Sequence, residues 1–284
     1  MKSPIKYRGG KTKEIGLFEK YIPDSYDRFI EPFVGGGAVY FYLEPRKAII
    51  NDINENLISF YKDVKTQYPR IRSELDSIQS EYDSNQRQYA ELKSKHPMDR
   101  VPNLNEDLYY NLRDMYNGLK QTDFLYGTLY FFINKTSYSG MIRFNSKGEY
   151  NVPFGRYTNF NTKLLTEDHS KLLSHTEIFN TDYASIFKMA SENDFMFLDP
   201  PYDCIFNDYG NLQMTNGFDE KQHRRLAQDY KKLKCKALMI IGKTPLTEEL
   251  YSDYIRDEYP VKYGVNIRNR FDTNAKHIVV MNYD

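Results

Sequence analysis

The chain has 284 residues, of which 40% are hydrophobic and 27% charged, which is ordinary for a globular protein and sufficient for one large domain, alone or with a smaller one. Its formal net charge is zero, which excludes a global positive field, so nucleic-acid binding would require local basic patches. The only cysteines are Cys204 and Cys235, so we expect neither a disulfide framework nor a metal site, and a reducing cytoplasm as the location. The polar N-terminus predicts no signal peptide, and the apolar runs are too short to predict a membrane span.

Two segments are locally basic. Residues 1–20 contain six Lys and Arg residues against two Glu, and residues 221–236 contain seven against one Asp. Because a charged run is usually a solvated surface, each patch supports nucleic-acid binding only together with other features.

The first segment with special residues is Pro4-Ile5-Lys6-Tyr7-Arg8-Gly9-Gly10-Lys11. Paired glycines let the backbone approach a ligand closely, Lys11 can meet a carboxylate or phosphate, and Tyr7 can pack on the ligand. A flexible terminal arm is the simpler interpretation of this segment alone.

A glycine turn follows the first predicted strand. Phe29-Ile30-Glu31-Pro32-Phe33-Val34 leads to Gly35-Gly36-Gly37 and then to the apolar run 38–43, which predicts strand, turn and helix. Such a turn lets a cofactor approach the backbone, although the dinucleotide fingerprint G-x-G-x-x-G is incomplete and no pyrophosphate is required. The next strand, Ile49-Ile50, leads to Asp52, which is placed to bond ribose hydroxyls. Together they predict a cofactor that contains a nucleoside.

The middle of the chain interrupts this alternation of strands and helices. Residues 55–120 predict surface helices, with loops near Pro69 and at His96–Asn103. Residues 138–157 then predict a β-hairpin that turns at Lys147-Gly148. Such a ribbon can enter a major groove, where an arginine contacts guanine through two hydrogen bonds. The alternative is an exposed hairpin packed on its own aromatic residues.

The α/β pattern resumes after the hairpin. A strand at 177–180 ends at Asp182, which could bond a cofactor's adenine, and a strand at 195–198 follows. An amphipathic helix at 219–233 and strands at 237–241 and 278–281 complete the pattern.

The strand at 195–198 stops at Asp199-Pro200-Pro201-Tyr202. Neither proline has an N–H and each restricts the residue before it, so the sequence predicts a rigid corner that presents a carboxylate, a fixed carbonyl and an aromatic face. Such a corner suits chemistry on a flat ring that bears an amine, because two acceptors localise the amine's lone pair while the aromatic face holds the ring. A polar turn without chemical purpose is the alternative for this motif alone.

Taken in order, these stretches resemble the α group of DNA adenine (amino) methyltransferases, the Dam/DpnM type of the D12 class. The resemblance covers most of the chain and rests on the N-terminal segment, Glu31-Pro32-Phe33-Val34 with its glycines, Asn51-Asp52, the hairpin and Asp199-Pro200-Pro201-Tyr202. It implies a Rossmann-like α/β fold with a mostly parallel sheet, formed by residues 1–60 and 161–284. Residues 61–160 would form an inserted target-recognition domain of helices and the hairpin.

The resemblance also implies that S-adenosylmethionine (SAM) donates a methyl group to the exocyclic amine of an adenine flipped out of duplex DNA. The implied catalytic residues are Asp199, Pro200, Pro201 and Tyr202. The implied cofactor-binding residues are Tyr7, Gly10, Lys11, Phe33, Gly35, Gly36, Gly37, Asp52, Asp182 and Asp199, with Tyr7 and Lys11 at the methionine end. The implied DNA-binding residues are Lys6, Tyr138, Met141, Arg143, Pro153 and Tyr157, with Lys6 and Arg143 on guanines and Tyr138 beside the flipped adenine.

Two segments depart from the family pattern. Members usually have Ser-Asn-x-Asp-Thr-Pro where this chain has Ile240-Ile241-Gly242-Lys243-Thr244-Pro245, which alters the polar wall of the base pocket. The loop 264–277 also matches poorly.

Several alternatives stay open from the sequence. The target sequence is either GATC or a longer site that begins with GAT. The enzyme either belongs to a restriction–modification system, with a separate endonuclease, or is an orphan or phage enzyme. We expect a monomer. Methylation of RNA or of protein glutamine, and DNA binding without catalysis, are the competing functions.

Overall fold

The computed structural model describes residues 1–202, 218–261 and 275–284, so Cys204 and most of the segment 264–277 lie outside the described residues. The described residues form two compact units. One unit contains Met1–Gly10 and Asn54–His175. The other contains Lys11–Ile53 together with the described residues from Thr176 onward.

The second unit is built on a seven-stranded sheet among the described residues. Its strands are β1 (Phe29–Glu31), β2 (Ala48–Asn51), β3 (Thr176–Phe179), β4 (Phe195–Leu198), β5 (Lys236–Gly242), β6 (Ile255–Pro260) and β7 (Lys276–Met281). The helices of the described chain are α1 (Ile15–Phe18), α2 (Ala38–Leu43), α3 (Glu55–Lys95), α4 (Leu104–Tyr116), α5 (Tyr126–Thr136), α6 (Glu167–Ser174), α7 (Tyr183–Phe187), α8 (Glu220–Tyr230) and α9 (Pro245–Tyr251).

The strand order is β3-β2-β1-β4-β5-β7-β6. The pairs from β3 to β5 are parallel, whereas β7 runs antiparallel to both β5 and β6. This mixed α/β architecture confirms the predicted Rossmann-like fold with a mostly parallel sheet.

The central strands are apolar because the sheet buries both of their faces. Every residue of β1, β2 and β4 is buried. On one face, Met196 and Leu198 of β4 share a core cluster with Met239 and Ile241 of β5. On the other face, the Phe197 ring stacks on Phe18 at 5.5 Å. A parallel strand covered on both faces therefore reads as a continuous apolar run, as the sequence pattern indicated.

Strand β6 was not predicted from the sequence. The strand, Ile255–Pro260, contains three charged residues. Tyr259 is the one residue of the strand that is buried. Because β6 lies at an edge of the sheet, charged residues there are tolerated and discourage pairing with other chains.

In the first unit, the prediction of a loop near Pro69 is wrong. Helix α3 passes through Pro69 with a kink at Gln67, whose φ and ψ are −128° and 21°. The kink restarts the helix just before Pro69, so the proline falls in a first turn where its missing N–H is not needed. The predicted loop at His96–Asn103 is confirmed, since α3 ends at Lys95 and α4 begins at Leu104.

The predicted hairpin is also present in the first unit, with sparse pairing. Antiparallel bridges join Ser137 to Phe154 and Phe144 to Tyr150. The turn is closed by Gly148 N donating to Asn145 O at 3.0 Å. Backbone bonds from Asn145 N to Glu149 O and from Asn151 N to Arg143 O join the two arms, and the Tyr150 hydroxyl adds a bond to Met141 O at 2.7 Å.

A buried carboxyl ends β1 in the second unit. Glu31 is 2% exposed, and its Oε2 accepts a hydrogen bond from Tyr40 N in the first turn of α2. Gly37, with φ of 66°, is the left-handed residue that begins this helix. Burial, followed by repulsion from the Asp199 carboxylate, raises the pKa of Glu31 well above its ordinary value.

This raised pKa predicts a pH-dependent stability difference for Glu31→Gln. The contribution of Glu31 to stability is fully present below the unfolded pKa, near 4.5, and is lost as the pH rises through the raised folded value. Glutamine keeps an acceptor for Tyr40 and removes this loss, so the Tm of the variant minus that of the wild type should increase as the pH rises above 4.5. Thermal denaturation across this range measures it, with the exposed Glu44→Gln as the control. A difference that does not change with pH would contradict the assignment.

Candidate active site

The glycine turn and the Asp-Pro-Pro-Tyr corner leave neighbouring strands at the same edge of the sheet. Strands β1 and β4 are parallel, with Phe29 opposite Phe195 and Ile30 opposite Met196. Their carboxyl ends therefore lie side by side, and β2 on the other flank of β1 adds Asp52. Open α/β sheets bind ligands outside the carboxyl ends of such strands.

A buried ion pair holds the carboxylate of the corner. Lys11 Nζ lies 2.7 Å from Asp199 Oδ1 and 2.8 Å from Oδ2, and Lys11 is only 1% exposed. Burial raises the pKa of Asp199, and the charge and hydrogen bonds of Lys11 offset part of that rise. The sequence placed Lys11 at the methionine end of a cofactor, and the structure shows it bound to the catalytic candidate itself.

The Tyr202 ring lies beside this pair. Its hydroxyl is 3.4 Å from Asp199 Oδ1, and Lys11 Nζ is 5.0 Å from the ring centroid. Pro200 is buried, while Pro201 and Tyr202 are half-buried. The corner thus combines a cation-bound carboxylate with an aromatic face.

The glycine turn is held by the end of β2. Asp52 Oδ2 accepts a hydrogen bond from Gly35 N at 3.0 Å. Gly35 and Gly37 both have positive φ, and Gly36 and Gly37 are buried. This arrangement gives a bed without side chains next to a half-buried carboxylate.

Sequence reasoning missed the role of Asn51, which precedes Asp52 and is buried. Its Nδ2 donates to Pro32 O at 2.9 Å and to Thr181 O at 3.0 Å. Its Oδ1 accepts from Thr181 N at 2.9 Å. One amide therefore joins the segments that follow β1 and β3 to the end of β2. The sequence marked Asn51 as part of the Asn51-Asp52 motif and as a polar residue at the end of an apolar strand, but neither signal indicates these partners.

Asp182 is engaged by a residue that was not predicted. It caps α7 by accepting from Ala184 N, and it forms an ion pair with Arg225, with hydrogen bonds of 2.7 and 2.9 Å. Burial pushes the pKa of Asp182 upward, but the bonds from Arg225 and Ala184 lower it overall. Phe33 packs nearby against Tyr183, with 5.3 Å between ring centroids.

Four of the six DNA-binding candidates meet within the first unit. Lys6 Nζ lies 4.2 Å from the Tyr157 ring centroid, and the Tyr157 hydroxyl accepts from Ser139 N. Pro153 O accepts a hydrogen bond from Tyr138 N, and the Tyr138 side chain is 57% exposed. An exposed aromatic ring thus lies in the segment that contacts an exposed lysine.

The position of Lys6 is fixed by α5. Lys6 N donates to Asn134 Oδ1 at 2.8 Å, and Asn134 Nδ2 donates to Lys6 O at 2.7 Å. Lys6 Nζ also donates to Lys135 O at 3.1 Å. Burial and then the charge of Lys6 lower the pKa of the Lys135 side chain to about 8. Neither Asn134 nor Lys135 was singled out from the sequence, because both follow an apolar run that indicated only core.

The remaining candidates of the first unit lie in separate places. Arg143 is exposed, and Asn151 accepts from its Nε at 2.8 Å and from its Nη2 at 3.3 Å. Met141 is half-buried beneath the Tyr150 hydroxyl. Tyr7 and Gly10 share a turn in which Gly10 N donates to Tyr7 O. These two cofactor candidates lie in the first unit, and the other cofactor candidates lie in the second.

The segment that departs from the family pattern has a structural role. Strand β5 ends at Gly242, and Thr244 caps α9 by accepting from Thr247 N at 3.2 Å. Lys243 forms an ion pair with Glu248 at 3.2 Å. A Cβ built on Gly242 would lie 3.8 Å from Cγ of Tyr202, so this segment borders the corner.

Comparison with known proteins places the chain among DNA methyltransferases. The family model for D12 class N6 adenine-specific DNA methyltransferases matches residues 7–267. The type II methyltransferase M.CviBI of Paramecium bursaria Chlorella virus NC1A is 32% identical over 291 residues, covering 100% of both chains. The type II methyltransferase M1.LlaDCHI of Lactococcus lactis subsp. cremoris is 31% identical, covering 98% of this chain and 94% of its own. The DNA adenine methylase of Salmonella typhi is 28% identical, covering 87% and 83%.

These matches extend over nearly the whole sequence and agree with the fold. Across the described ranges, no helix is long and apolar enough to cross a membrane. The expected activity on adenine in DNA is confirmed by the family. The chain belongs to the D12 class of N6 adenine-specific DNA methyltransferases.

Proposed function

We propose that this adenine DNA methyltransferase takes its methyl group from SAM and transfers it to an adenine rotated out of duplex DNA. The observation that carries the proposal is the convergence of the glycine turn, Asp52 and the Asp199–Tyr202 corner at one edge of the sheet. A nucleoside donor fits this edge, since a side-chain-free bed lies beside a carboxylate that can accept from ribose hydroxyls. When bound, SAM supplies an electrophilic methyl group on a sulfonium.

Asp199 and the Pro200 carbonyl accept the two hydrogens of the adenine amine. This favours a pyramidal nitrogen with a localised lone pair, and Tyr202 stacks on the base to hold that nitrogen in line with the methyl group. Asp199 can do this while bound to Lys11, because a carboxylate has about four lone-pair sites, of which Lys11 uses one on each oxygen and the Tyr202 hydroxyl uses one on Oδ1. The Lys11 cation favours the ionised, accepting form of Asp199 and offsets part of the rise in pKa that burial causes.

Lys11, together with Tyr7, would contact the methionine end of SAM. Asp52 would hold the ribose and Asp182 would lie near the adenine of SAM, with Phe33, Gly36 and the other glycines lining the bed.

The DNA-binding surface is proposed to consist of the first unit's Lys6, Tyr138, Met141, Arg143, Pro153 and Tyr157. Asn151 holds the Arg143 guanidinium on two nitrogens, which fixes its plane for contact with a guanine edge. Lys6, which contacts the Tyr157 ring, would read the first guanine. GATC is the proposed target, and a longer site that begins with GAT is the alternative that mapping must separate from it.

The enzyme is proposed to act as a cytoplasmic monomer. A cognate restriction endonuclease, where one exists, would act as a separate protein.

Asp199→Ala should lower methyl transfer to duplex DNA by about 10²-fold or more, because the amine loses a charged acceptor. Incorporation of labelled methyl from SAM into duplex DNA, RNA and protein measures both the loss and the substrate class. Asp194→Ala is the matched control, since it also breaks a buried ion pair, with Arg28 at 2.7 Å, at the other end of β4. The control should lose stability and keep its rate per folded molecule. A near-normal rate for Asp199→Ala would refute the catalytic role, and label in RNA or protein alone would refute the substrate.

Asp52→Ala should weaken SAM binding by about tenfold or more, because hydrogen bonds to a charged group are lost. Isothermal titration calorimetry with SAM measures the affinity, and Asp27→Ala at the start of β1 is the control. Unchanged affinity in Asp52→Ala would contradict the ribose role, and no SAM binding by the wild type would contradict the proposed donor.

Arg143→Ala should relax base preference at one position of the target, with discrimination there reduced by about 1–3 kcal/mol. Single-molecule sequencing of DNA from cells that express each variant locates the methylated adenines. Lys147→Ala, in the turn of the same hairpin, should leave the recognised sequence unchanged. An unaltered sequence preference in Arg143→Ala would show that this arginine does not read a base.

A further inference from the structure

Three strands place Gly242, His277 and Tyr259 opposite one another. Gly242 of β5 pairs with His277 of β7, and Tyr259 of β6 pairs with the same His277. His277 is 1% exposed, although it is a polar residue, and the four residues that follow it in β7 are apolar and buried. Neither His277 nor Tyr259 belongs to the sequence motifs that identify the family in this chain.

This row supports the Tyr202 ring. The His277 ring meets the Tyr202 ring edge-on, with 4.9 Å between centroids and 65° between planes. Beside it, the missing side chain of Gly242 leaves the Tyr202 ring close to the strand backbone, because even an added Cβ would lie only 3.8 Å from the ring. The imidazole thus helps to set the position of the aromatic face that is proposed to stack on the target base.

The same imidazole is tied to the turn that carries Lys11. Glu14 Oε2 lies 2.6 Å from His277 Nδ1 and accepts a hydrogen bond from the Tyr259 hydroxyl at 2.9 Å. Burial pushes the pKa of Glu14 upward, but His277 and Lys11 lower it overall, so the carboxylate accepts and His277 Nδ1 donates. Glu14 N donates to Lys11 O at 2.7 Å within the turn.

We propose that His277 is a positioning residue for methyl transfer. It holds the Tyr202 ring directly, and through Glu14 it holds the turn whose Lys11 binds Asp199. The base-stacking ring and the amine acceptor are therefore aligned to each other by one imidazole. This inference rests on the proposed function, because it gives His277 a role only if Tyr202 and Asp199 contact the target base.

A double-mutant cycle tests the inference. His277→Ala should lower kcat by about tenfold, with little change in the KM for SAM, because an edge-on aromatic contact orients the ring after binding. In a Tyr202→Ala background, His277→Ala should lower kcat by a clearly smaller factor, because the ring that His277 supports is no longer present. Val279→Ala, a buried change two residues along β7, is the control and should give the same small effect in both backgrounds.

Two further variants keep the test decisive if His277→Ala does not fold. His277→Phe keeps a ring edge for Tyr202 and loses the donor to Glu14, while His277→Gln keeps a donor and loses the ring. Both should lower kcat, and His277→Phe should keep its coupling to Tyr202 whereas His277→Gln should lose it. Additive losses in both backgrounds, or folded His277 variants with normal kcat, would overturn the inference. An inactive wild type would instead overturn the proposed function, so the two failures are distinguishable.

Discussion

The ion pair between Lys11 and Asp199 is the interaction on which the rest of the candidate site depends. The Lys11 ammonium is withdrawn from water and Asp199 is half-buried, so the lysine charge is tolerable because the carboxylate lies against it. The pair joins the N-terminal turn of the second unit to the end of β4, and the lysine charge favours the ionised form of the carboxylate. Around this pair, the glycine turn, Asp52 and Tyr202 form the walls of the candidate site, while Lys11 supplies the positive charge that balances Asp199. The site is therefore organised by electrostatics at its centre and by backbone geometry at its margins.

The fold was largely predictable because its signals are local and strong. The apolar runs that form β1, β2 and β4 are buried on both faces, and Gly35–Gly37 and Pro200–Pro201 mark where strands end. Two failures have physical causes. Strand β6 carries charges that only an edge position tolerates, and Pro69 was expected to stop a helix that instead restarts at Gln67. The sequence alone reveals neither that β6 lies at an edge of the sheet nor that the helix kinks just before Pro69.

The site was predictable as a set of motifs but not as a set of contacts. Lys11, Asp52, Asp199 and Tyr202 stand out as residue types at the ends of strands. The side chains that support the site do not stand out, because Asn51, His277 and Arg225 act on Thr181, Tyr202 and Asp182, which lie far from them along the chain and are brought close only by the fold. The basic segment 221–236 illustrates the same limit, since Arg224 and Arg225 are paired with carboxylates in the folded chain.

The amide of Asn51 has a consequence beyond local order. A single side chain satisfies backbone groups of Pro32 and Thr181 from the end of β2, so three crossover connections share one set of hydrogen bonds. If either the Pro32 segment or the Thr181 segment moved away, the buried Asn51 amide would lose hydrogen-bond partners. The connections after β1 and β3 are thus linked through one side chain at the end of β2, so a change in one of them reaches the other through the Asn51 amide.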